Sequence, residues 1–111
     1  MKAMLSMQNG VVVYALRGDF DFFVREAFLR EMGDRAERGQ TRIVLNLRRV
    51  SYMTSSAIGA LIAADKLFKR AGGRLVLSQI SRPVRASLKL VGLLNHLSVC
   101  PDDAGALALC V

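Results

Sequence analysis

The sequence predicts an α/β fold: a mixed sheet of four to five strands, with about four helices packed mainly on one side. Three observations carry that expectation. Gln8-Asn9-Gly10 is a turn signal between two stretches of strand character, Ala3 to Met7 and Val11 to Leu16. The apolar run Ile43-Val44-Leu45, resumed at Leu47, gives way after Thr54-Ser55-Ser56 to the helically spaced series Ala57, Leu61, Ala64, Phe68 and Ala71. Gly72-Gly73 then stops that helix ahead of a second branched run, Arg74 to Ser78, which completes a β-α-β unit.

Taken in order, the hairpin supplies the first two strands. Gly18 is expected to break the second, and Asp19 or Asp21 to cap a helix ending near Gly39. That helix carries Phe23, Ala27, Arg30 and Asp34 on one stripe, with Phe22, Phe28, Leu29 and Met32 around it. The central strand spans 42–47, and a short polar link leads to the helix from about Ser55 to Ala71. Thr54, Ser55 and Ser56 are residue types whose oxygens accept from the free amides of a first helical turn. After the strand 74–78, Ser81-Arg82-Pro83 opens a helix to about Leu90, because proline fits the first turn. Leu97 to Cys100 reads as a short last strand, and Asp102 and Asp103 head a final Ala/Leu helix whose positive end their charge suits.

The 111 residues suit a single domain, 1–111, and 52% hydrophobic against 23% charged residues argues against disorder. No apolar run approaches the roughly 18 residues that span a bilayer, so a cytoplasmic protein without membrane insertion is expected. Cys100 and Cys110 have neither C-x-x-C spacing nor partner histidines and read as free thiols. No metal or other cofactor is called for. The net charge is +7, and between Thr41 and Leu97 ten basic residues face one acid, Asp65. The bases are scattered and few aromatics accompany them, which fits a solvated surface or an acidic protein partner rather than specific nucleic-acid readout.

The segment RIVLNLRRVSYMTSSAIGALIAADKLFKRAGGRLVL resembles the core motif of the STAS domain of bacterial anti-sigma factor antagonists. Gly18-Asp19-Phe20-Asp21 looks like that family's Gly-acid-apolar-Asp turn, and Val91-Gly92-Leu93 is similar to its short helix end. The resemblance implies a STAS fold and a phosphorylation-switched binding module without catalysis of its own. Its partner would be an anti-sigma factor with Ser/Thr kinase activity, sequestered so that a sigma factor is freed for transcription. A homodimer is a further association the resemblance allows. A non-switching STAS scaffold, as in a stressosome-like subunit or the small STAS subunit of a lipid transporter, is the alternative.

By the same resemblance Ser55 is the phosphoacceptor, with Ser56 the second candidate and Thr54 the third. Many phosphorylatable members carry Asp where this chain has Thr54, which can cap the helix but supplies no carboxylate. The partner-binding set is Asp21, Thr54, Ser56, Ala57, Ile58 and Ile62. Asp21 serves either as a cap or in partner engagement. Ile58 and Ile62 align with Asp65, Lys66 and Lys69, and either form an exposed docking patch or pack under a neighbouring loop. A hydrolase would need Ser55, His96 and an acid such as Asp21 to converge, and the chain has one histidine and no G-x-S-x-G elbow.

Overall fold

Asn9 and Gly10 have φ of 53° and 78°, the pair of positive values that a two-residue type I′ hairpin turn requires. The computed structural model, which describes residues 2–92 and 96–110, places β1 (Lys2–Gln8) and β2 (Val11–Phe20) on either side of that turn as an antiparallel pair. Then follow α1 (Phe22–Glu37), β3 (Arg42–Met53), α2 (Ser55–Arg70), β4 (Arg74–Ser78), α3 (Arg82–Leu90), β5 (Ser98–Cys100) and α4 (Asp103–Cys110). Leu93 lies outside the described residues, as do the side chains of Phe22 and Phe23.

The five strands lie side by side in chain order, β1-β2-β3-β4-β5, and every pair after the hairpin is parallel. Each crossover therefore moves one strand over in the same direction, and a common right hand puts its helix on the same face. On that face α1, α2 and α3 enclose the main core, in which Tyr14, Phe20, Ile43, Leu45, Leu61, Phe68, Leu75 and Leu88 are buried. The other face has a smaller core of Val11, Val13, Val44, Val76 and Cys100 closed by Ala106 and Cys110 of α4. The helices are thus three on one face and one on the other.

Two boundaries differ from the sequence expectation. Gly18 does not break β2: at φ 103° it sits within an irregular register that carries the strand on to Phe20. The polar link 48–53 is strand, because the extended β2 offers it a partner as far as Phe20 opposite Met53. Among the described side chains of α1, Phe28 and Met32 are buried, whereas Ala27, Arg30 and Asp34 face solvent. The register of β3 with β4 needs Gly73, where a Cβ would fall 1.9 Å from the Thr41 carbonyl oxygen that accepts from the Arg74 amide.

Candidate functional site

Parallel strands feeding same-handed crossovers bring the first turns of α1, α2 and α3 to one edge, where the carboxyl ends of β2, β3 and β4 meet. Open α/β sheets characteristically bind along this edge. Phe20 and Met53 are register partners, so the residues that follow them, Asp21 and Thr54, begin side by side. The Thr54 amide donates to the Phe20 carbonyl at 3.0 Å, which ties the two turns together. Asp21 caps α1, its Oδ1 accepting from the Val24 amide at 3.2 Å. Ser81 caps α3 and donates through Oγ to the Val50 carbonyl at 2.9 Å, anchoring the third turn to β3.

Thr54 is the N-cap of α2: its backbone is extended and its Oγ1 accepts from the Ala57 amide at 3.1 Å. Ser55 and Ser56 are the first two helical residues, whose amides have no intrahelical acceptor. Ser55 is exposed and Ser56 half-buried, and neither hydroxyl is hydrogen-bonded to another described residue. No acid lies in the first turn of α2, while Lys69 and Arg70 occupy its last. The positive end of the helix dipole is thus left without a side-chain counter-charge of its own, next to an accessible hydroxyl. A phosphate on that hydroxyl would lie against the free amides and positive end of α2, a setting that suits an anion, with the Asp21 carboxylate on the adjoining turn opposing it.

Asp21, Thr54, Ser55 and Ser56 are thus brought together, whereas Ala57 and Ile58 are not part of that surface. Ala57 is fully buried against the sheet and Ile58 is only 4% exposed within the main core. Ile62 is partly buried against the same core. The reason is the docking of α1 along α2, which covers a second flank of that helix beside the one facing the sheet. Asp65 goes with it: it is buried, with Oδ2 paired to Lys69 Nζ at 2.9 Å and Oδ1 unpartnered among the described residues. Among the described residues, Tyr52, two residues before Thr54, is an aromatic side chain that reaches solvent, 55% exposed. Sequence reading passed over it because residues 48–53 looked like a link rather than an ordered strand end.

His96 is exposed and follows α3. Among the described residues no group of three or more His, Cys, Asp or Glu side chains could hold a metal ion, and no helix is long and apolar enough to cross a membrane. A group of displaced titrating side chains lies where α1 packs on β2. Burial, followed by its hydrogen bond to Glu31, pushes the Tyr14 phenol up to about 12. Tyr14 donates to Glu31 Oε1 at 2.6 Å and accepts from Arg35 Nε at 2.7 Å. The Glu31 carboxyl is lowered, first by the Tyr14 hydrogen bond and then by Arg35.

The family model of the STAS domain matches residues 2–106. The anti-sigma F factor antagonist of Paenibacillus polymyxa is 26% identical over 110 residues, spanning 96% of this chain and 94% of its own length. Among solved structures, the Thermotoga maritima protein tm1081 superposes with a TM-score of 0.90 at 18% identity, covering 97% of this chain and 93% of its own. The Bacillus cell fate determinant SpoIIAA in its phosphorylated form has a TM-score of 0.74 at 23% identity, covering 97% of this chain and 99% of its own.

Proposed function

The chain belongs to the STAS domain family, and on that premise we propose that it is an anti-sigma factor antagonist switched by phosphorylation of Ser55. Unmodified, it binds an anti-sigma factor that is also a Ser/Thr kinase and so releases the sigma factor; modified, it lets the partner go. The curated relative named as an antagonist supports the binding role, since it matches nearly end to end. SpoIIAA, solved in a phosphorylated form, supports a switch on this fold. The observation that carries the residue assignment is the exposed Ser55 hydroxyl at the N-terminus of α2, whose first turn contains no acid.

A phosphate at Ser55 adds about −1.5 to −2 charge and three acceptor oxygens without asking the helix to move. A partner surface fitted to a neutral hydroxyl would have to bury that charge, at a cost of several kcal/mol, equivalent to roughly 100-fold or more in affinity. On this reading the contact surface runs over Asp21, Thr54, Ser55 and Ser56, with Tyr52 and the exposed Gly59 at its margins. The test is incubation with the cognate kinase and ATP, read by intact mass. The expected result is a single phosphate, absent in Ser55→Ala and retained in Ser56→Ala; an unchanged wild-type mass with an active kinase would refute the switch.

A further inference from the structure

The face of the sheet closed by α4 is covered over only part of its area. Beyond Val13 and Val44, the same face continues with Ala15, Arg17, Asn46 and Arg48, and there the surface opens into a cleft of about 490 Å³. Met4 of the edge strand, 78% exposed, forms part of its wall. The volume is in the range that holds a small molecule.

Three arginines line this cleft, Arg17, Arg48 and Arg49. Arg48 and Arg49 are consecutive, and successive strand residues ordinarily point to opposite faces. They share a wall because the register slips: a single residue separates Ala15 from Arg17 on β2, while the partners of that pair, Asn46 and Arg49, are separated by two on β3. Such a bulge re-aims a side chain. It also sets Arg17 and Arg49 opposite one another as register partners, a like-charge pairing that disfavours the sheet. None of the three is ion-paired or hydrogen-bonded through its side chain to another described residue, and no carboxylate lines the cleft. The nearby carboxylate of Asp103 is taken up by Ser78 and Asn46.

We propose that this cleft binds an amphipathic phosphate monoester, its head held by Arg17, Arg48 and Arg49 and its apolar part lying along Met4 and Ala15. Guanidinium groups match phosphate oxygens in fork geometry, and a dianionic head relieves the repulsion between the paired arginines. The apolar wall is what separates this site from a bare anion patch. It lies on the opposite face of the sheet from α1, α2 and α3 and does not depend on Ser55.

Hexyl phosphate is the probe, titrated into the full-length protein and followed by amide chemical shifts, with inorganic phosphate and hexanol as comparisons. Saturable shifts at residues 4, 15, 17, 46, 48 and 49 are expected, with inorganic phosphate at least ~10-fold weaker and hexanol without effect. The double substitution Arg48→Gln, Arg49→Gln should weaken binding at least ~10-fold, while Arg70→Gln, outside the cleft, leaves it within about twofold. Equal weakening by Arg70→Gln, unchanged binding in the double variant, or equal binding of inorganic phosphate would overturn the proposal. Vesicles of phosphatidylcholine with and without phosphatidic acid distinguish the source of the head group. Retention on the acidic vesicles alone, together with hexyl phosphate binding, assigns it to a membrane surface. Hexyl phosphate binding without vesicle retention assigns it to a free metabolite, and binding to neither defeats the inference.

Discussion

Thr54 and Ser55 are chain neighbours with separable tasks. The Thr54 hydroxyl is occupied in capping, accepting from the Ala57 amide, whereas that of Ser55 has no partner among the described residues. Removing the cap by Thr54→Ala should cost about 1 kcal/mol, within a range of about 0.5–2, in urea denaturation. Ser55→Ala, at an exposed position with good helix propensity for the replacement, should stay within about 0.5 kcal/mol of wild type. A Thr54→Ala variant as stable as wild type would show that the cap contributes nothing. Ile58 gives the opposite lesson. Its burial in the core predicts that Ile58→Ala loses about 2–5 kcal/mol by the same measurement. Any effect on partner binding then follows from stability rather than from a lost contact. Residue type and position marked the hydroxyls as caps and narrowed the cap of α1 to Asp19 or Asp21, of which the structure uses Asp21; the choice of Ser55 as phosphoacceptor came from the family resemblance. The burial of Ile58 was not, since it depends on which other element lies over it.

Among the elements, α2 and β4 were the most legible, because capping residues, helical spacing and the Gly72-Gly73 stop all agree with the tertiary structure. The second buried flank of α2 was obscured by Asp65, a charged residue that marks solvent in most helices but here is buried and paired with Lys69. The length of β3 was obscured for a related reason. Residues 48–53 extend toward a sheet edge where one face lacks a covering helix, so polar side chains do not signal the end of the strand. One contact between α1 and β2 is also invisible to periodicity: the cluster in which Tyr14 meets Glu31 and Arg35, 17 and 21 residues further along the chain. Its pH dependence follows from the two displaced groups. The Tyr14 phenol is raised from 10 to about 12, so its contribution is fully present below pH 10 and is lost as pH rises through 12. The Glu31 carboxyl is lowered, so its contribution is present above the ordinary carboxylate range and is lost as pH falls through the depressed value. Tyr14→Phe should therefore be less stable than wild type at neutral pH. The gap should close in acid and again above pH 10, as read from urea midpoints across the range; a gap independent of pH would rule out the coupling.

At the scale of the molecule, the one-way strand order has a consequence for stability as well as for the site. It commits α1, α2 and α3 to one face and leaves the other to α4, a helix of eight residues. So short a helix has little stability of its own and must be held by what it touches. Apolar contact comes from Ala106 and Cys110 against Val11, Val44 and Val76, and Arg74 Nη1 donates to the Leu109 carbonyl at the far end. The near end is held by polar contacts. Ser78, fully buried, donates to Asp103, and Asn46 Nδ2 donates to both carboxylate oxygens at 3.1 and 3.2 Å. Asp103→Ala leaves the Ser78 hydroxyl buried without its partner, which costs about 1–3 kcal/mol. Because Cys100 and Cys110 both lie under or on α4, their thiols report whether that cost is felt as local opening. In the wild-type fold both should react slowly with a thiol reagent under native conditions because both are buried, and burial also raises the Cys110 pKa and so lowers its thiolate fraction. If α4 opens as a unit, Asp103→Ala should raise the labelling rate roughly 5- to 150-fold, the ratio set by the lost free energy. An unchanged rate, with the variant otherwise folded, would mean that apolar contact alone holds α4 and that the polar cluster only aligns it.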